Sequence, residues 1–380
     1  MMIANQRCRL LFAGLLAALL TGAAAAAPAP SVTLDKAAYE KMQALLKERR
    51  DALREVLKAR QALFEAGRLT APEMIDARRA LLRAELELAT VPGRAALNES
   101  LAKLVKEHEK YARTMFEAGR LTPGEYAAAR ADCLAEDAGL LRERAGPRPT
   151  EAQSAALRKL RRERLDFLRK ALAEQEKTFE AGRAYLGAVS KAARLVFEAE
   201  LLDRPADRVD ACRRYAGRAQ HWADLYEVAF EAGRVPRSHL DTALAEKLTA
   251  EAGLLRARGK LNPDETGQLQ ALQRDRRARW TEAFKGTMEA WTFRPGPFDI
   301  PVGISARLLE AELDQAKAPA NRVEAHRAHL KRLGKIEELA KALLDAGRLT
   351  TPDYLNVKAA RLGAEVAFVR AGGKPSELGK

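Results

Sequence analysis

Apolar residues recur along this chain at the three- and four-residue spacing of a helix face, with charged residues between them. Ala, Leu, Glu, Arg and Lys dominate these stretches and β-branched residues are few, which favours helix over strand. Glycine and proline concentrate in the narrow breaks between the stretches. The pattern predicts an all-α fold of tandem antiparallel helical hairpins, six in number, in a coiled-coil or bundle-like array.

A short motif marks the predicted hairpin tips. FEAGRLT occupies 64–70 and 116–122, FEAGR returns at 179–183 and 230–234, and LDAGRLT stands at 344–350. A sixth copy, WTFRPGPFDIPVGISARLLEAELD (291–314), aligns without gaps on 64–87. The spacings between copies alternate, 52, 63, 51, 61 and 53 residues, so the repeating unit is a pair of hairpins. Three helical repeat units follow, at 33–146, 147–259 and 260–373.

Each regular copy carries the residues of a tight turn between two helices. Its glycine suits a helix end, because glycine adopts the left-handed conformation without a Cβ penalty. Thr70, Thr122 and Thr350 are typical N-caps, and an acid three residues later completes a capping box. The Glu and Arg of FEAGR are three residues apart, which predicts an ion pair within the turn. We therefore interpret the motif first as a turn.

The alternative interpretation is a binding surface displayed at the tips. It combines the repeated arginines with the aromatic residues of the divergent fifth tip, WTFRPGPFDIP (291–301). The candidate residues of this interaction surface are Arg68, Arg120, Arg183, Arg234, Trp291, Phe293, Phe298 and Arg348.

Two residue columns recur behind every tip. Counted from the tip glycine (Arg294 in the fifth copy), the residues at positions +10 and +17 are nearly all small, which predicts a line of close contact between two helices, the seam. An acid follows at 18 positions in all six copies: Glu85, Asp137, Glu200, Glu251, Glu312 and Glu365. The facing helices carry a base at the same level: Arg54, Lys106, Arg169, Arg218, Arg279 and Arg332. We predict interhelical ion pairs here, in preference to metal or proton chemistry.

The N-terminus has the order of a secretory signal peptide. Two arginines precede an 11-residue apolar run, Leu10 to Leu20, which is too short to span a bilayer, and small residues follow it. We predict a signal peptide at 1–27, cleaved near Ala26–Ala27, export to the periplasm or cell envelope, and no transmembrane segment in the mature chain. Cleavage removes two arginines and no acid, so the formal charge falls from +14 to about +12, which favours contact with anionic surfaces.

Candidate chemistry is sparse in this sequence. Common nucleophile, metal and phosphate motifs do not occur, so no catalytic residue, cofactor or metal site is predicted. His326 and His329 share a helix face, but no third ligand accompanies them. Cys133 and Cys212 either form one bridge or remain two separate buried thiols. Bases alternate with acids almost everywhere, which argues against nucleic-acid binding.

The residue order in 64–88, 116–134 and 344–362 resembles the coiled-coil segments of outer-membrane efflux factors of the TolC family. In that family an aromatic residue, a glycine, a serine or threonine, an acid and a helix rich in Ala, Leu and Glu follow one another in a similar order. The chain also resembles exported bacterial proteins built from helical-hairpin repeats. The resemblance implies an envelope location and coiled-coil architecture. The chain differs from the efflux factors in having six hairpins and no strand-like pattern.

Together these features predict a non-catalytic exported helical scaffold or interaction protein of the cell envelope. The expected partner is an envelope protein or a second copy of the chain, and an anionic envelope surface is a further candidate. An alternative function is that of an accessory or adaptor component of a TolC-like efflux or transport assembly. An enzyme or metal binder is a further rival class. Compact bundles and an extended hairpin array both agree with the sequence.

Overall fold

The structure, a computed structural model, describes residues 34–146, 148–182, 186–203, 205–293 and 296–378. The predicted signal peptide at 1–27 lies outside these residues. The described ranges contain twelve α-helices: α1 (Lys36–Glu65), α2 (Ala71–Leu88), α3 (Val91–Glu117), α4 (Pro123–Ala145), α5 (Glu151–Glu180), α6 (Leu186–Asp203), α7 (Arg208–Glu231), α8 (Arg237–Ala257), α9 (Pro263–Phe293), α10 (Asp299–Gln315), α11 (Pro319–Asp345) and α12 (Thr351–Arg370). Short 3-10 helices follow α6 and α12, at Pro205–Asp207 and Pro375–Glu377. The predicted all-α fold is confirmed for this part of the chain.

Consecutive helices pack as antiparallel hairpins. In the first hairpin, Arg54 of α1 contacts Glu85 near the end of α2, at 3.3 Å. Arg60 lies further along α1 and donates to the carbonyl of Glu73 near the start of α2, at 3.1 Å. The contacts therefore advance along α1 while they move back along α2, as an antiparallel pair requires.

The small residues of the predicted helix–helix seam are buried in most copies. They are Ala77, Ala84, Ala129, Ala199, Ala243, Ala250, Ile304, Ala311, Val357 and Ala364. Two further members of the columns, Glu136 and Ala192, are half-buried. A methyl side chain lets two helix backbones approach closely, so alanine fits this position where a larger residue would force the helices apart.

The described residues form two compact units. Unit 1 contains the chain up to Leu97 and the chain from Trp280 onward, and unit 2 is Asn98–Arg279. In unit 1, α1 runs antiparallel to α12. Met42 near the start of α1 shares an apolar cluster with Phe368 near the end of α12, and Glu48 contacts Lys358 at 2.9 Å. The first and last hairpins of the chain are therefore packed neighbours.

A large apolar cluster lies among the described residues of unit 2. Its buried side chains come from α4 to α8: Ala131, Leu165, Leu168, Leu172, Val189, Ala193, Val196, Ala199, Tyr215, Ala219, Trp222, Ala223, Tyr226, Leu240, Ala243 and Ala250. Large residues lie mainly on α5 and α7, and small residues lie mainly on α6 and α8. Large side chains facing small ones fill the space between closely spaced helices without leaving voids.

The three repeat units at 33–146, 147–259 and 260–373 stay a prediction about how the sequence repeats. The compact units are defined by contacts in the structure and not by sequence repeats, so they do not test these repeat units. The boundaries of the compact units lie within α3 and α9. Within the described ranges, no helix has both the length and the apolar content needed to cross a membrane.

Candidate functional site

The regular tips share one backbone geometry. At the first tip, the N–H of Gly67 donates to the carbonyl of Phe64 at 2.9 Å, and the N–H of Arg68 donates to that of Leu63 at 2.8 Å. These two bonds form a Schellman motif, in which a left-handed residue closes the last helical turn. Gly67 has φ +67°, and the same bonds recur at Gly119, Gly233 and Gly347. The predicted role of the tip glycine is confirmed.

The helix after each of three tips begins with the predicted cap. The hydroxyl of Thr122 accepts from the N–H of Glu125 at 3.2 Å, and the Glu125 carboxylate accepts from the N–H of Thr122 at 2.7 Å. At Thr70, the following acid accepts from the backbone N–H and from the hydroxyl. At Thr350, the hydroxyl accepts from the N–H of Asp353 at 3.4 Å and donates to its carboxylate at 2.6 Å, but the predicted reciprocal bond to the Thr350 N–H does not form. Each turn is thus held at both ends by local hydrogen bonds.

The tip arginines are exposed and their guanidinium groups have no partner among the described residues. This holds for Arg68, Arg120, Arg234 and Arg348, while Arg183 lies outside the described residues. The predicted ion pair between the acid and the arginine of one tip is wrong at all four of these tips. Glu65 accepts from Gln61 at 3.0 Å, and Glu117 contacts Arg113 at 2.9 Å. These acids face back along their own helix, because residues four apart meet on its surface.

The fifth tip is built from aromatic packing. Trp291 and Phe298 are buried and meet edge to face, with ring centroids 4.6 Å apart. Gly296 lies close to Trp291, because a Cβ at this glycine would be 3.4 Å from the indole ring. Phe293 is 85% exposed. Of the three aromatic candidates, only Phe293 offers its side chain to a partner, whereas the other two hold the turn together.

The predicted interhelical ion pairs form in the first three hairpins. They are Arg54–Glu85 at 3.3 Å, Lys106–Asp137 at 3.0 Å and Arg169–Glu200 at 2.8 Å. In the last three hairpins the base contacts an acid of a preceding hairpin: Arg218–Glu176 at 3.3 Å, Arg279–Asp241 at 2.8 Å and Arg332–Glu312 at 2.9 Å. All six bases therefore have an acidic partner, but the predicted pairs of the last three hairpins, Arg218–Glu251, Arg279–Glu312 and Arg332–Glu365, are wrong. Glu365 contacts Arg361 instead, and Glu251 forms no ion pair with a described residue.

A buried polar network surrounds His329 in unit 1. Arg332 donates from Nε to the hydroxyl oxygen of Ser305 at 3.1 Å, and this hydroxyl lies 2.9 Å from Nδ1 of His329. Burial and the nearby Arg332 charge lower the pKa of His329 to about 3. Burial also lowers the pKa of His326, to about 4. Both imidazoles are therefore neutral at physiological pH. Within the described ranges, no three His, Cys, Asp or Glu side chains are grouped to hold a metal ion.

Cys133 and Cys212 are free buried thiols in unit 2. Burial raises the pKa of both thiols, so the reactive thiolate form is scarce at neutral pH.

A groove of about 440 Å³ lies between α5 and α7 in unit 2. It is lined by Glu176, Phe179, Glu180, Arg214, Gly217, Arg218, His221 and Trp222. Gly217 faces open space in this lining, since a Cβ at this position would have no neighbouring atom within 4 Å. Burial raises the pKa of the Glu176 carboxyl, and the contact with Arg218 offsets part of this effect. The sequence analysis did not find this groove, although a glycine in the middle of a helical stretch was a visible signal.

No protein-family model and no curated protein matches this chain. The resemblance to efflux factors therefore stays a prediction.

Proposed function

We propose that the chain is a non-catalytic exported scaffold of the cell envelope, whose hairpin tips bind anionic groups of envelope partners. The repeated tip geometry carries this proposal. Arg68, Arg120, Arg234 and Arg348 follow the same closed turn, and each guanidinium is exposed and unpaired within the described part of the chain. A guanidinium presents five N–H donors in a fixed fork that matches carboxylate and phosphate groups.

The arrangement of the tips within each unit supports a shared binding end. In unit 1, α1 runs toward Arg68 and α12 runs away from Arg348, and the two helices are antiparallel neighbours. The two arginines therefore lie at the same end of unit 1. In unit 2, Phe179 next to the third tip stacks on Tyr226, which lies seven residues before the fourth tip glycine, so these two tips lie at one end. Several tips at one end favour multivalent binding, in which weak contacts reinforce one another.

Photo-cross-linking in the intact cell tests this proposal. A photoreactive residue replaces Arg68 in one variant and Lys58 in the other, where Lys58 is an exposed base on α1, the helix that precedes this tip. We expect envelope adducts from position 68 and far fewer from position 58. N-terminal sequencing of the same protein is expected to show cleavage near Ala26–Ala27. Equal adducts from both positions, or an uncleaved cytosolic chain, would contradict the proposal.

An adaptor role in a TolC-like transport assembly is the second candidate. The hairpins and their FEAGRLT turns support it, because they resemble the coiled-coil segments of efflux factors. This role predicts ring-like oligomers that co-purify with membrane partners. Native mass measurement of gently solubilised envelope complexes tests it, and finding the chain only outside any such complex would argue against this role.

A further inference from the structure

Helix α7 has an exposed face that its own unit does not cover. Gly217, His221, Leu225 and Val228 are all exposed, and their spacings of four, four and three residues place them on one side of the helix. Leu225 is 39% exposed and Val228 is 66% exposed. Such spacing is typical of a helix that meets another helix along a seam.

The charges of α7 are divided along its length. The N-terminal half carries Arg208, Arg213, Arg214 and Arg218 with one acid, Asp210. The C-terminal half carries Asp224, Glu227 and Glu231 and no lysine or arginine. An antiparallel copy of the same helix would place each basic half beside an acidic half. A parallel copy would place like charges together.

The two arginines nearest the exposed face keep donors for a partner. Arg214 contacts Glu200 through Nη2 at 3.0 Å, and Arg218 contacts Glu176 through Nε at 3.3 Å. Each guanidinium has five N–H donors, so most remain available at the groove. Gly217 lies at the same level and faces open space, so the helix presents no side chain at this point of the groove.

We propose that this face of α7 joins two copies of the chain in an antiparallel contact, with a two-fold axis near His221. The contact places Val228 at the level of Arg214 of the second copy, and Leu225 at the level of its Gly217 and groove. A two-fold contact uses the same patch on both copies, which requires self-complementary charge. This proposal rests on the proposed function, in which the chain is an interaction protein, and adds to it that the partner of this face is a second copy of the chain.

The mass of the mature chain in solution is the first test. Sedimentation equilibrium over a range of concentrations is expected to show a monomer–dimer equilibrium. A monomer at every concentration would overturn the proposal but would leave tip cross-linking, and hence the proposed scaffold function, untouched. Conversely, a dimer whose tips form no adducts would contradict the proposal that the hairpin tips bind envelope partners, but it would support the α7 contact.

Two substitutions at one exposed position test the antiparallel orientation. Val228→Arg places a base beside Arg214 of the second copy, whereas Val228→Glu places an acid there. We expect the arginine variant to raise the dimer dissociation constant at least about tenfold, roughly 1.4 kcal/mol, and the glutamate variant to raise it much less. Equal weakening by both variants would exclude the antiparallel contact. Leu202→Arg, at an exposed leucine of α6 (46% exposed), is the matched control and is expected to leave the dimer unchanged.

A cysteine on the proposed axis gives an independent measurement. His221→Cys is expected to form a disulfide between two copies under mild oxidation, because the two side chains face each other there. Leu202→Cys is expected to stay unlinked. Absence of the His221→Cys cross-link in folded protein would overturn the assigned axis.

Discussion

Acidification is expected to destabilise unit 1 through His329. The hydroxyl of Ser305 receives a hydrogen bond from Arg332 and is left to donate its own proton to Nδ1 of His329. Protonation of Nδ1 would remove this acceptor and would place a second positive charge beside Arg332. The Glu312 carboxylate compensates little, because it already binds the Arg332 guanidinium through two contacts, at 3.0 and 2.9 Å.

The direction and size of the effect follow from the two pKa values of His329. The folded pKa is about 3, and an unfolded histidine titrates at about 6.5. Between these values the unfolded state binds more protons, so the free energy of unfolding falls as the pH falls. One pH unit is worth about 1.4 kcal/mol, so near pH 5 the loss from this group is about 2 kcal/mol. His326 acts in the same direction.

Urea unfolding at fixed protein concentration, near pH 7 and near pH 5, measures this loss. His329→Gln has no proton to gain, so its loss of stability on acidification is expected to be smaller than that of the wild type by about 2 kcal/mol. Lys331→Gln is the control, because Lys331 is exposed and lies on the same helix as His329. The reasoning is refuted if the His329→Gln variant and the wild type lose the same free energy between the two pH values.

Three further predictions concern helix ends, ion pairs and thiols. Gly67→Ala is expected to cost about 1–2 kcal/mol in thermal or urea unfolding, because φ is +67°, whereas Gly139→Ala within α4 is expected to stabilise by about 0.5–1 kcal/mol. Glu312→Gln is expected to lower the free energy of unfolding by about 3 kcal/mol, because it leaves the largely buried Arg332 guanidinium without its charged partner. Glu85→Gln is expected to lower it by less than about 0.5 kcal/mol, because its ion pair is exposed. Equal losses for the two variants in urea unfolding would contradict this difference. The two buried cysteines are expected to react with a chromogenic thiol reagent only as the protein unfolds, and rapid labelling of the native chain would show this prediction to be wrong.

Helix ends were predictable because their determinants are local. Gly67 and Thr70 act on backbone groups within a few residues, and so the motif that contains them predicted both the end of α1 and the start of α2. The buried alanines behind the tips were predictable for a similar reason, since a seven-residue spacing directs side chains to one side of a helix.

Ion-pair partners were only partly predictable. Arg54 pairs within its own hairpin as expected, whereas Arg218 reaches Glu176 of the preceding hairpin. A hairpin alignment predicts which residues are level within one hairpin, but it does not predict which other hairpin packs beside it. The packing of α1 on α12 escaped the sequence analysis for the same reason.

The fifth tip shows a different limit. Its loss of the turn motif suggested a specialised contact surface, but Trp291 and Phe298 are buried against each other. Aromatic residues in an irregular turn serve as readily to fill a local core as to bind a partner. Sequence spacing alone does not distinguish these two roles.

Binding of the mature chain to washed cell-envelope membranes tests the central claim most directly. The variant that carries Arg68→Gln, Arg120→Gln, Arg234→Gln and Arg348→Gln removes the tip charges. Its matched control removes four exposed bases elsewhere: Lys58, Lys103, Lys285 and Lys331. We predict that the tip variant loses salt-sensitive co-sedimentation with the membranes while the control retains it. Equal binding by the two variants would contradict the claim that the hairpin tips are the binding surface.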